Sequence, residues 1–170
     1  RSSIRASIEL HHSTVRVTVR VPSVQPGGRV IRYIGGASAM IGEREKTMVA
    51  VIQQMVEWID NHLDENLSVN RISTKSGYSI WHFQRKFMQL TGLNVYEYVR
   101  VRRIINTAYI LTRSRKRILE IAVENGFNCQ ASFTRTMRDL TGFTPGQMRA
   151  HFTGNEEELE KILRMLMSPD

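Results

Sequence analysis

Apolar positions along this chain recur mostly with the spacing of a buried helix face. From Met48 the series Met48, Val51, Ile52, Met55, Val56, Ile59, Leu63 follows the i, i+3, i+4, i+7 rule, and Thr47 stands where an N-cap would. Ser68 is placed to cap a short second helix carrying Val69 and Ile72, which Gly77 ends. Ser79 is placed to cap a third, running to Gly92, with Ile80, Phe83, Phe87 and Leu90 on its inner face. Asn94 opens a longer helix through Tyr98, Val101, Ile105, Ala108 and Leu111 to about Thr112. Ile118, Ile121 and Ala122 mark a short fifth helix, Gly126-Phe127 a turn, and Gln130 to Thr141 a sixth helix that Gly142 stops. Thr144-Pro145 starts a seventh, with proline at the first helical position, where a missing N–H costs nothing. Asn155 to Glu158 resembles a capping box ahead of Leu159, Ile162, Leu163, Leu166 and Met167.

The pattern repeats itself. Leu90-Thr91-Gly92 matches Leu140-Thr141-Gly142 fifty residues on, and Gly77-Tyr78 matches Gly126-Phe127 forty-nine residues on, so the second turn holds one extra residue. Phe83 then pairs with Phe133, Phe87 with Met137 and Arg85 with Arg135. Two short helices about a tight turn, twice over, predict an all-α fold. It consists of two helix-turn-helix subdomains joined by a long linker helix, seven core helices in all plus a C-terminal tail helix. The expected divisions are 1–46, a peripheral N-terminal segment either non-native or disordered; 47–93, the first subdomain; 94–112, the linker; 113–153, the second subdomain; and 154–170, an acidic tail helix. Within the first forty residues only Thr14 to Val21 alternates like a strand, so a hairpin is conceivable there.

Charge sharpens the picture. The net charge of +8 is unevenly spread. Leu67 to Phe152 carries 14 Lys or Arg against Glu97, Glu120, Glu124 and Asp139, whereas Thr47 to Asn66 has four acids and no Lys or Arg. A basic middle with acidic flanks predicts a polyanion-binding surface from which both ends face away. No apolar run approaches a membrane span and there is no signal-peptide core, so no membrane role is expected. With only Cys129, no internal disulfide forms, in keeping with a reducing cytoplasm.

The chemistry to be expected is recognition. On the third helix Trp81, Gln84, Arg85 and Met88 share the outer face. Gln and Arg make bidentate hydrogen bonds to adenine and guanine edges. On the sixth, Ala131, Thr134, Arg135 and Arg138 point outward, with Gln130 and Ser132 at its start, where a recognition helix reads bases. Ser79, Lys86, Thr136 and Arg138 are candidates for phosphate contact, as are some of Arg100, Arg102, Arg103 and the run Arg113, Arg115, Lys116, Arg117. The five histidines, His11, His12, His62, His82 and His151, lack metal-ligand spacing, and no nucleophile or phosphate-loop motif is present. Catalytic residues, metal and cofactor are therefore all expected to be none. Cys129 is read as a small residue at a turn.

Val56-Glu57-Trp58-Ile59, the run Ser76 to Arg85, Tyr98 to Arg103, and Phe133 to Thr136 occur here in an order that resembles the AraC/XylS family of bacterial regulators, close to its short MarA, SoxS, Rob and AarP branch. The resemblance covers about Val49 to Phe152. It implies seven helices, base reading by Trp81, Gln84 and Arg85 in the first unit and by Gln130, Ser132, Thr134 and Arg135 in the second, and activation through RNA polymerase. Where relatives of that branch carry a second Gln, this chain has Ala131, which gives up a bidentate amide while keeping a methyl able to touch thymine. The expectation is a bacterial, cytoplasmic, nucleoid-associated activator of stress or antibiotic-resistance genes. It would bind double-stranded promoter DNA as a monomer at an asymmetric site. The rival readings are an architectural or RNA-binding protein that uses the same basic surface without reading sequence, and an enzyme.

Overall fold

The structure, a computed structural model, describes residues 4–8, 17–21 and 37–167, with side chains described from 47 to 166. Among the described residues there are eight helices and one two-stranded antiparallel hairpin, β1 (Ile4–Ile8) with β2 (Val17–Val21), in which Ala6 faces Val19. The expected alternating segment from Thr14 supplies β2; its first three residues lie outside the described residues.

The helical domain starts with α1 (Ala37–Asp60), which begins ten residues before the expected cap at Thr47. The reason is compositional. Ala37, Ala39, Met40, Glu43, Arg44, Glu45 and Lys46 are strong helix formers, so the backbone stays helical through a stretch whose apolar period is weak. From Met48 onward the inner face is as the spacing predicts, with Met48, Ile52, Met55, Val56, Ile59 and Leu63 buried.

The other helices end where their caps dictate. Ser68 Oγ accepts the Arg71 N–H to open α2 (Val69–Ser76), and Gly77, at φ +79°, closes it. Ser79 Oγ accepts the His82 N–H at the head of α3 (Ile80–Thr91), and Asn94 Oδ1 accepts the Glu97 N–H at the head of α4 (Val95–Arg113). In α5 (Ile118–Glu124) the Glu120 carboxylate reaches back to the Arg117 N–H. Cys129 Sγ caps α6 (Gln130–Thr141) by accepting the Ser132 N–H at 3.4 Å, the task that Ser79 performs for α3. Thr144 and Gln147 form a reciprocal capping box on α7 (Pro145–Phe152), and α8 (Glu156–Met167) follows.

The hydrophobic core runs through both units. In the first, Phe83 packs on Phe87, and Phe87 meets Tyr98 of α4 edge-on with centroids 5.3 Å apart. In the second, Phe127 of the turn packs on Phe133, and Met137, Met148 and Phe152 are buried. Helix α4 lies between them, touching α3 on one side and α5, α6, α7 and α8 on the other. Leu159 and Leu163 hold α8 to this core.

Polar ties fix α4 to its neighbours. Arg103 Nε donates to the Leu63 carbonyl at 2.9 Å and its Nη2 to the Glu65 carbonyl at 2.6 Å, so α4 grips the chain just beyond α1. Asn106 Nδ2 donates to Asn125 Oδ1 at 2.7 Å, in the turn after α5. Gly126, at φ +82°, sits against that grip: a Cβ there would lie 2.5 Å from the Leu63 carbonyl oxygen and 2.7 Å from Arg103 Nη2. Only glycine combines that left-handed backbone with so close an approach.

Candidate nucleic-acid interface

In the α2-turn-α3 unit, burial of Phe83, Phe87 and Leu90 turns the opposite face of α3 to solvent. Trp81 is 67% exposed and Met88 50%, with Gln84 and Arg85 exposed among them. The Arg85 guanidinium rests over the Trp81 ring, 5.3 Å from its centroid. That contact pre-orders both side chains, because the guanidinium is held by the ring quadrupole while its N–H groups stay available to an acceptor. The expected set Trp81, Gln84 and Arg85 thus forms one contiguous patch. Ile80, expected in the core with Phe83, is instead 43% exposed. It occupies the first turn, at the edge of the buried stripe.

The α5-turn-α6 unit repeats this geometry with a longer connection, residues 125–129 against 77–79, one of the added residues falling between the left-handed glycine and the cap. Gln130, Ala131, Thr134, Arg135, Arg138 and Asp139 line one open groove along α6. Ser132 is exposed at the start of the same helix, and its N–H is taken by the Cys129 cap. Thr136 corrects the expectation of a phosphate contact. It is only 9% exposed, because it lies on the strip with Phe133 and Met137 that packs inward. Of the other phosphate candidates, Ser79 and Arg138 are exposed, and half-buried Lys86 donates to Gln89 Oε1 at 3.3 Å.

The structure sorts the basic residues into committed and free. Arg102 is 5% exposed and its Nε donates to Asp60 Oδ1 at 2.7 Å. Arg103 is spent on backbone carbonyls, and Arg100 lies 3.6 Å from Glu97 and 3.5 Å from Asp139. Some of this trio were expected to touch phosphate; Arg102 and Arg103 build the fold instead, and Arg100 is paired at the surface. Arg113 pairs with Glu156 at 2.6 Å, Lys116 with Glu124 at 2.7 Å, Arg71 with Glu65, and Arg149 with the carbonyls of Leu111 and Lys116. By contrast, among the described residues no ion pair engages Arg85, Arg115, Arg117, Arg135 or Arg138. Three of these five project from the outer faces of α3 and α6.

The ionisation of the buried cluster follows from its surroundings. Burial pushes the Asp60 carboxyl above its ordinary range, outweighing the Arg102 guanidinium and the Tyr98 hydroxyl 3.4 Å away, both of which pull it down. Burial likewise pushes the Tyr98 hydroxyl well up, so it stays an O–H donor toward Asp60. Among the described residues no group of three His, Cys, Asp or Glu side chains is placed to hold a metal ion, and no helix is long and apolar enough to cross a membrane.

Two helix-turn-helix units presenting Gln and Arg on exposed helix faces define a DNA-binding protein of the transcription-regulator class. The family described as a helix-turn-helix domain matches residues 72–151. The chain is 38% identical over 99 residues to the transposon Tn10 TetD protein of Escherichia coli, covering 58% of this chain and 72% of that one. It is 37% identical over 99 residues to the regulatory protein SoxS of Salmonella typhimurium, covering 92% of SoxS. With the right origin-binding protein of Escherichia coli it shares 36% identity over 99 residues, only 34% of that protein's length. The DNA-binding domain of AdpA, solved with a target DNA, superposes with a TM-score of 0.59 at 23% identity over 63% of this chain and 96% of that one, which shows the common fold. An AraC-type regulator from Chromobacterium violaceum gives a TM-score of 0.57 at 25% identity, covering 62% of this chain and 94% of its own. The chain belongs to the AraC/XylS family, in its MarA/SoxS/Rob branch.

Proposed function

We propose that this protein activates transcription by binding an asymmetric promoter site as a monomer, with α3 and α6 entering adjacent major-groove segments of one DNA face. The observation that carries the reading is that two exposed recognition faces, carrying different residues, belong to one chain whose units share the helix α4. In dimeric helix-turn-helix proteins, two-fold symmetry makes the site palindromic with readers about 34 Å apart. Here Trp81, Gln84 and Arg85 face one half-site while Gln130, Ser132, Thr134 and Arg135 face the other, so the two halves differ in sequence. The α4 helix, 19 residues long and hence about 28 Å at about 1.5 Å per residue, supplies a stiff spacer of the right scale.

In this reading residues 47–93 and 113–153 act as the two reading subdomains, 94–112 as their linker, 154–170 as an acidic tail helix and 1–46 as a peripheral segment. The proposal extends to contact with RNA polymerase and to control of stress or antibiotic-resistance genes in the bacterial cytoplasm; likeness to the regulatory protein SoxS and the transcriptional regulator Rob supports its regulatory part. Native mass spectrometry of the complex with a footprinted site tests the central claim. One chain per minimal, non-palindromic duplex of about two helical turns is expected, and two chains would overturn the monomer reading.

A further inference from the structure

The two recognition helices superimpose by their caps. Ser79 and Cys129 each accept an N–H three residues on, and α3 and α6 are both 12 residues long and end at left-handed Gly92 and Gly142. Register from the caps pairs Trp81 with Ala131, Gln84 with Thr134 and Arg85 with Arg135. It also pairs Ile80 with Gln130. Gln130 is exposed at the base-reading end of α6, and Ile80 is exposed at the corresponding point of α3.

Leaving a β-branched aliphatic side chain in water forfeits the gain of burying it. Among the described residues seven large hydrophobics are exposed, and three of them, Ile80, Trp81 and Met88, project from α3. Ile80, Gln84 and Met88 follow at i, i+4 and i+8, a single stripe running beside Trp81 and Arg85. This stripe is interleaved with Gln84 and Arg85, for which no side-chain hydrogen bond is formed among the described residues. In the major groove, the thymine C5-methyl is the apolar group available to such a stripe.

We infer that Ile80 is a further specificity-determining residue. Its side chain, one α-helical turn before Gln84, packs on the methyl of a thymine next to the base engaged by Gln84 in the half-site read by α3. The inference rests on the proposed sequence-specific binding and assigns chemistry to a position outside the expected reading set.

The test uses the full chain and a duplex whose site has been selected from random oligonucleotides. Each thymine of the first half-site is replaced in turn by deoxyuridine, which removes only the methyl. At one position the wild type should lose about fourfold in affinity, the worth of one buried methyl. Ile80→Ala should bind the thymine and deoxyuridine duplexes equally there, and Ile80→Val should fall between. Circular dichroism checks that the exposed substitution leaves the fold intact. The inference is overturned if Ile80→Ala keeps the full thymine preference at every position, or if the wild type shows none. Should the wild type select no site above random DNA, the proposed function itself falls, and this inference with it. Should Arg85→Ala relax base preference while Ile80→Ala leaves the thymine dependence untouched, only this inference falls.

Discussion

Arg102→Ala probes the contact that locks α1 to α4. The Arg102 and Asp60 side chains are 6% and 10% exposed, with Nε 2.7 Å from Oδ1, and Nη1 of Arg102 is buried without a partner among the described residues. Intact, such a pair adds little net stability, because desolvating both charges offsets their attraction. Removing one partner is different. It strands the Asp60 carboxylate with only the Tyr98 hydroxyl, 3.4 Å from either oxygen, and breaking a buried pair in this way costs about 3–5 kcal/mol. For a helical domain of this size that corresponds to a melting temperature lower by about 10–20 °C.

The dependence on pH supplies the sharper readout. Because burial raises the folded-state pKa of Asp60, the folded chain binds more protons than the unfolded one between the ordinary aspartate value, 3.8, and the raised value. Stability from this group therefore falls as pH rises through that window. Deleting Arg102 removes the largest influence that lowers the pKa, so the variant's window extends upward and its ionisation costs more. The gap in melting temperature between wild type and Arg102→Ala should thus be small at acid pH, where Asp60 is neutral in both, and widen toward pH 7.5. Thermal melts followed by circular dichroism across that range measure it. A gap that stays constant with pH, or one below about 1 kcal/mol at neutrality, would refute the stranded-carboxylate argument.

Other outcomes follow from the interface and the turns. Arg85→Ala should cost about 1–3 kcal/mol at a specific site and little on random DNA, whereas Lys86→Ala should weaken both by smaller, similar amounts; equal behaviour in competition binding would show the α3 faces to be misassigned. Since the fold consumes many of its cations, about four to six phosphate contacts remain for groups such as Lys86, Arg115, Arg117 and Arg138. Affinity should then fall about 10² to 10³ between about 50 and 200 mM salt, and a flat response would contradict a basic interface. Gly126→Ala forces a methyl toward the Leu63 carbonyl and Arg103 at positive φ, and should cost at least about 1–3 kcal/mol in denaturant unfolding; Gly142→Ala, with open space around its Cβ position, should cost less.

The periodicity of the sequence carries most of this architecture because helix caps and apolar spacing are local signals. Ser68, Ser79, Asn94 and Thr144 cap where a short polar side chain precedes an apolar stripe, and Gly77, Gly92 and Gly142 stop helices with the left-handed backbone that glycine adopts most easily. The misses at the interface share one physical cause, unlike the early start of α1, which is compositional. Burial of a polar side chain, or exposure of an apolar one, depends on what stands opposite, which spacing along one helix does not specify. Thr136 is drawn inward because its neighbours Phe133 and Met137 set the packing strip, and Ile80, at the first position of α3, stays 43% exposed beyond the end of the Phe83, Phe87, Leu90 stripe. Charge behaves likewise. The trio Arg100, Arg102, Arg103 and the free cations Arg135 and Arg138 look alike in sequence. Only the fold brings Asp60, the Leu63 carbonyl and Asp139 up to the first set. A basic segment therefore sets an upper bound on the phosphate-binding surface, and the internal partners of each cation decide how much of that bound is reached. Among the described residues the same selection leaves Arg85, Arg135 and Arg138 without an ion pair on the two faces that also carry Gln84 and Gln130, with Arg115 and Arg117 unpaired between the units, so part of the charge left over by folding lies beside the residues proposed to read bases.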